Sequence, residues 1–214
     1  MEKSNEDQKN YGSDLKIILM GNISTGKTSI IDRYIKNTFD EKIKATIMPD
    51  FSYKIMKRDD TFYRLQFWDI PGQDHNPNLT SIFCRNCQGI IFCCDVKVKK
   101  SRDDILKWKK SLESFIDIKN IPIILLENKC DLLGNEEKYN ENIEDLKNFS
   151  ENNKFSGFFR TSALNGYNIE KAIEFLVNNI LTNLDEEANN ISPKDSMLAN
   201  KLESKNNPKN KKCC

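Results

Sequence analysis

Leu15-Lys16-Ile17-Ile18-Leu19-Met20-Gly21-Asn22-Ile23-Ser24-Thr25-Gly26-Lys27-Thr28-Ser29-Ile30-Ile31 places an apolar run, a glycine-punctuated loop and a second apolar pattern in succession. The first run reads as a buried strand and Ser29 to Lys36 as a helix, so the loop joins strand to helix. Its spacing, G-x-x-x-x-G-K-T, is that of a phosphate cradle: backbone N–H groups and the helix N-terminus surround phosphate oxygens. Lys27 adds a point charge, and the Thr28 hydroxyl suits Mg²⁺. Ser24, Thr25, Gly26, Lys27, Thr28 and Ser29 are the nucleotide-binding candidates of this stretch.

Outward from the loop, Phe51 to Lys57 and Tyr63 to Asp69 alternate as two strands joined by the charged turn Arg58-Asp59-Asp60, a hairpin. Gly89 to Asp95, Ile121 to Glu127 and the weaker Phe155 to Thr161 are short apolar runs of the kind buried on both faces. Ile105, Trp108, Leu112 and Phe115 recur at helical spacing between them. Ile169, Ile173, Leu176 and Ile180 do so later, with Asn168 as N-cap. Strands alternating with helices predict an α/β fold: a mostly parallel sheet covered on both faces, with ligands at the carboxyl ends of its strands.

Two further strand ends carry chemistry. Asp69-Ile70-Pro71-Gly72-Gln73 puts a carboxylate at the sheet edge, where it can hold Mg²⁺ through water. Gly72 permits close approach to a terminal phosphate, and Gln73 offers a neutral amide to position water, the candidate catalytic group. Asn128-Lys129-Cys130-Asp131 selects the base, because the Asp131 carboxylate can accept two hydrogen bonds from the N1–H and exocyclic amine of guanine. Adenine lacks that arrangement, which disfavours an ATP-using kinase or ATPase. Thr161-Ser162-Ala163 fits a backbone N–H aimed at the guanine carbonyl.

Of the 214 residues, 33 are basic and 32 acidic, a net charge of +1, so no global field favours a nucleic acid polymer. No stretch approaches the roughly 18 to 20 apolar residues that span a bilayer, and the polar start resembles no signal peptide, so a cytosolic body is expected. Glu2, not Gly, argues against N-myristoylation. Seven cysteines are an odd count without a secretory signal, which points to reduced thiols. Cys84-x-x-Cys87 with Cys93-Cys94 raises zinc, but neighbours in a strand face opposite ways and cannot share one tetrahedral site easily. His75 reads as an exposed loop residue. Residues 1–14 are expected to be disordered, 15–184 to form one domain, and 185–214 to be a flexible, lysine-bearing tail ending in Cys213-Cys214.

The motifs occur in the order of a small GTPase, and over residues 15–184 the chain resembles the Rab family of the Ras superfamily. The resemblance implies a six-stranded sheet with one antiparallel strand. It also implies Thr46 as the switch I threonine meeting Mg²⁺ beside Thr28 and Asp69, and Phe39 packing at the guanine. Ser162, Ala163 and Leu164 join the nucleotide set, and switch II opens at Asp69. Phe51, Trp68 and Phe83 stand where the family carries an aromatic triad read by effectors. Ile23, Ile70 and Cys130, with the Thr-Ser-Ile-Ile-Asp-Arg-Tyr and Leu-Lys-Trp-Lys segments, resemble a subgroup linked to lysosome-related organelles.

Further expectations carried by the resemblance are GTP and GDP as ligands, an exchange factor, an activating protein and effectors. A prenylation escort and a GDP-dissociation inhibitor belong with them. Geranylgeranyl groups on Cys213 and Cys214 would hold the protein at the cytoplasmic face of an endomembrane, with a cytosolic pool. Four departures fall inside the machinery: Ser24 replaces a loop glycine, Ile23 is bulky, Met48-Pro49 replaces a Gly-aliphatic pair, and Pro71 replaces an alanine before Gly72. They leave a GTP-bound scaffold with little hydrolysis as the alternative to a cycling switch.

Overall fold

The computed structural model describes residues 10–72 and 77–190. It divides into two units, Met1–Ile180 and Leu181–Cys214, and the sheet belongs to the first. Six strands, β1 Asn10–Met20, β2 Asp50–Arg58, β3 Thr61–Asp69, β4 Gly89–Asp95, β5 Ile123–Asn128 and β6 Gly157–Arg160, lie in the order β2-β3-β1-β4-β5-β6. Among the described residues only the β2–β3 hairpin is antiparallel; its pairing runs from Asp50 with Asp69 to Arg58 with Thr61. Asp59 supplies the turn with φ 51°, a left-handed conformation that aspartate tolerates.

The helices are α1 Lys27–Lys36, α2 Pro77–Cys84, α3 Lys99–Asp103, α4 Ile105–Glu113, α5 Ile143–Asn152 and α6 Ile169–Asn190. On one sheet face Ile18, Met20, Ile90, Phe92 and Leu125 form a buried cluster with Ile105, Trp108 and Leu112 of α4 and Leu146 of α5. Strand alternation turns the intervening residues to the other face. There α6 lies so close to β4 that a Cβ on Gly89 would come within 2.7 Å of Ile180. Tyr34 of α1 meets Phe67 of β3 edge to face at 5.4 Å.

Several boundaries differ from expectation. The chain is ordered into the sheet before Leu15: Asn10 pairs with Thr61, Tyr11 with Phe62 and Asp14 with Arg64. A polar composition argues for disorder only where no partner waits, and β3 extends far enough to supply one. The Tyr11 and Phe62 rings lie 5.9 Å apart, and Arg64 forms an ion pair with Asp14. At the other end, helix continues past Asp185 to Asn190, since adding residues to a formed helix is far easier than nucleating one. Residues 1–9 and 191–214, the remainder of the expected extension and tail, lie outside the described residues.

Phe115 falls beyond α4, where its N–H donates to the Leu112 carbonyl three residues back and tightens the helix end (3.0 Å). Asn168 does precede α6, and its carbonyl accepts the first helical bond from Ala172 (3.0 Å). Its φ is 57°, however, and its side-chain amide donates to the Arg160 carbonyl at 3.1 Å, tying the helix start to β6.

Candidate functional site

The phosphate loop emerges at the carboxyl end of β1, between β3 and β4, where the order of the sheet reverses and ligands gather. Gly21 leaves the strand at φ 141° against β4; a Cβ there would lie 2.1 Å from the Cys93 carbonyl oxygen. Gly26 turns the chain into α1 at φ 93°, and a Cβ would meet the Asn128 amide at 2.3 Å. Between them Ser24 adopts φ 62°, where a side chain is disfavoured, as its replacement of glycine foretold. Lys27 Nζ donates to the carbonyls of Gly21 (2.9 Å) and Asn22 (3.0 Å), arching the loop around itself. Burial lowers its pKa, and the Asp69 carboxylate opposes that shift.

Three oxygen-bearing side chains converge at the loop's far side. Thr28 Oγ1 lies 2.9 Å from Thr46 Oγ1 and donates to Asp69 Oδ2 at 2.5 Å; Thr46 Oγ1 donates to the same oxygen at 3.1 Å. Asp69 Oδ1 is buried and lacks a hydrogen-bond partner. Burial raises the Asp69 pKa, while the hydrogen bond from Thr28 and the charge of Lys27 pull it down. A hard divalent cation fits this donor set, because it takes hydroxyl and carboxylate oxygens and would compensate the orphaned carboxylate atom.

At the opposite end Asn128 stitches the base-binding segments together. Its Nδ2 donates to the Thr25 carbonyl (2.9 Å), and its Oδ1 accepts from Thr161 Oγ1 (3.3 Å) and the Ala163 N–H (3.2 Å). Asn128 thus holds one backbone N–H of the Thr161-Ser162-Ala163 segment. Ser162 donates its hydroxyl to Asp131 and orients that carboxylate. Lys129 takes φ 65°, and its ammonium pairs with Asp95 at 2.8 Å.

A cleft of ≈ 430 Å³ joins the two ends. Ser24, Gly26, Lys27, Thr28, Ser29, Phe39, Thr46, Gly72, Asn128, Lys129, Asp131, Ala163 and Leu164 all line it. Thr25 and Ser162, fully buried, support the wall from behind through the bonds above, as does Asp69. Phe51, Trp68 and Phe83 stand away from the cleft as a contiguous row, with ring centroids 5.2 Å and 5.8 Å apart. Phe51 is exposed, whereas Trp68 and Phe83 also pack on the core cluster. Gln73, His75, Cys213 and Cys214 lie outside the described residues.

Sequence reasoning missed two supports of the site. Arg33 of α1 donates to the carbonyls of Ala163 (2.9 Å) and Leu164 (2.6 Å), linking the phosphate helix to the base loop. Glu127 and Arg160, cross-strand neighbours just before Asn128 and Thr161, form a buried ion pair at 2.7 Å. The charges inside two otherwise apolar runs were the available signal. Cys84, Cys87, Cys93, Cys94 and Cys130 are free and buried, and burial raises each thiol's pKa.

The fold and cleft define a P-loop α/β protein. The Ras family model matches residues 16–182. The chain is 38% identical over 189 residues to Ras-related protein Rab-32A of Dictyostelium discoideum, covering 86% of this chain and 85% of that one. It is 37% identical over 172 residues to Rab-32 of Mus musculus, covering 78% and 76%. With Rab-7L1 of Homo sapiens it shares 30% identity over 181 residues, covering 83% and 87%. The chain belongs to the Ras family, as a Rab-type small GTPase related to the Rab-32 and Rab-7L1 proteins.

Proposed function

We propose that this protein is a GTP-binding and GTP-hydrolysing switch that recruits effectors in vesicle traffic. The observation that carries the reading is one cleft lined together by phosphate-loop residues, Asn128, Lys129, Asp131, Thr46 and Gly72. Lys27 would neutralise charge on the phosphates, and Asp131 would accept the guanine N–H groups. Thr28, Thr46 and Asp69 would hold Mg²⁺, which when bound neutralises the charge growing on the transferred phosphoryl group. Gln73 would orient water for in-line attack, its amide able to donate and accept at once. Gly72 closes onto the loop because it lacks a side chain: a Cβ would lie 2.3 Å from the Ile23 nitrogen.

Intrinsic turnover is expected to be slow without an activating protein. Exchange factor, effectors, prenylation escort and GDP-dissociation inhibitor complete the proposed cycle. The Phe51, Trp68 and Phe83 row would serve as effector surface. Among the described residues no helix is long and apolar enough to cross a membrane. Geranylgeranyl groups on Cys213 and Cys214 would supply the anchor at an endomembrane, two chains being needed for stable attachment.

A second reading, a GTP-bound scaffold with little hydrolysis, is favoured by the Ser24 backbone at φ 62° and by half-exposed Ile23 in the cleft wall. Single-turnover hydrolysis of Mg²⁺-GTP by the full chain, beside Gln73→Leu, separates the two. The switch predicts slow turnover that Gln73→Leu reduces, with GTP binding retained. GTP held tightly without turnover in either protein would favour the scaffold, and failure to bind guanine nucleotides would overturn both.

A further inference from the structure

Asn22 occupies a loop position that the phosphate-binding pattern leaves open. Here both ends of its side-chain amide are engaged by the junction of α3 and α4. Nδ2 donates to Asp104 Oδ2 (2.9 Å), and the Trp108 indole Nε1 donates to Asn22 Oδ1 (2.9 Å). A carboxylate only accepts and an indole N–H only donates, so the amide is held in one orientation. Aspartate at this position would set like charges together, and alanine would satisfy neither partner.

The main chain of the same residue is where the site's parts meet. The Asn22 carbonyl accepts from Lys27 Nζ (3.0 Å) and Thr25 Oγ1 (2.9 Å). The Asn22–Ile23 peptide is also the surface against which Gly72 rests: a Cβ on Gly72 would lie 2.3 Å from Ile23 N and 2.5 Å from Asn22 C. Trp108 belongs to the same buried cluster as Ile70, two residues before Gly72.

We propose that Asp104, Trp108 and Asn22 form a positioning link through which the α3–α4 junction sets the Asn22–Ile23 peptide, and so the fit of Gly72 when a terminal phosphate is bound. The inference rests on the guanine-nucleotide reading of the cleft and adds to it a control of triphosphate over diphosphate. A γ-phosphate that draws Gly72 onto the loop needs the peptide held from behind. GDP, which makes no demand on Gly72, does not. A perturbation of the α3–α4 junction is therefore felt at the phosphates.

The test is the affinity ratio of a non-hydrolysable GTP analogue to GDP, measured with Mg²⁺ on the full chain. Asn22→Ala and Asp104→Ala should lower the ratio by about fivefold or more, a typical coupling between sites. Asp104→Asn keeps a carbonyl acceptor for Asn22 and should retain the wild-type ratio. Lys107→Ala removes the exposed ion pair to Asp104 (2.5 Å) without touching Asn22, and should also retain it. An unchanged ratio in Asp104→Ala, or an equal fall in Lys107→Ala, overturns the link. If Asp104→Ala does not fold, Asn22→Ala decides alone. Wild-type protein that binds neither nucleotide would instead overturn the reading of the cleft.

Discussion

Removing the Glu127 carboxylate tests how the base-binding segments are held. Its Oε2 accepts from Arg160 Nε at 2.7 Å, and its Oε1 lies 3.5 Å from Arg102 Nη1. Arg160 also donates to the carbonyls of Tyr139 (3.0 Å) and Glu141, which pins the segment after the base motif. The side chains of Glu127 and Arg160 are 6% and 7% exposed, so solvent cannot replace a lost partner.

Breaking a buried pair from one side costs about 3–5 kcal/mol. Glu127→Leu should fall at the top of that range, because it strands Arg160 and also takes the counter-charge from Arg102, whose Nε is already buried without a partner. Arg160→Leu leaves Glu127 beside Arg102 and should cost about 3 kcal/mol. In the double variant two apolar side chains face each other, so its cost should undercut the sum of the singles by about 2 kcal/mol. Urea unfolding at fixed, saturating GDP measures this, with ligand held constant because bound nucleotide adds its own stabilisation. A cost below about 1 kcal/mol for Glu127→Leu, or simple additivity, refutes the argument.

Asp131→Asn exchanges a pure acceptor for a mixed group and should lose two charge-assisted bonds of about 1.5–3 kcal/mol each. GDP affinity should then fall by roughly a hundredfold or more, and a titration showing less than a tenfold change would contradict the guanine assignment. Gly21→Ala drives a methyl group to within 2.1 Å of the Cys93 carbonyl and should lower both Tm and nucleotide retention; an unchanged Tm would mean that β4 yields freely. Alkaline stability should fall above pH 9, because burial pushes Cys84 and Cys130 up to about 12 and Cys87 and Cys93 up to about 11. Below pH 9 these thiols are protonated in both states and the native advantage is whole. Above it the unfolded chain ionises first, at roughly 1.4 kcal/mol per thiol per pH unit, until the native thiols titrate too. A urea midpoint that is flat from pH 8.5 to 10.5 would show those thiols to be solvated.

Local patterns made much of the molecule readable. Gly21 to Thr28 declared a strand, loop and helix because that backbone path needs glycine where φ is positive, and Gly21 and Gly26 sit there at 141° and 93°. The limits of β4 were visible because Gly89 to Asp95 is an apolar run buried on both faces. Asn10 to Asp14 looked unstructured because their order comes from partners some fifty residues away in β3. Arg33 carries no local signal of its role, since its acceptors in Ala163 and Leu164 lie 130 and 131 residues further on.

The sequence by itself determined the family and the loops that gather at the cleft, since G-x-x-x-x-G-K-T, N-K-x-D and a sheet-edge aspartate are each short-range patterns of side-chain chemistry. The tertiary structure alone decided how those patterns are held together. Thr28, Thr46 and Asp69 meet only because β1 lies beside β3. Asn128 can brace both Thr25 and Ala163 only because the parallel strands β1, β5 and β6 end at one edge of the sheet. Asn22, a free position in the motif, gains its meaning from Asp104 and Trp108. Such contacts join residues far apart in the chain, and their geometry is set by strand order and packing rather than by local spacing.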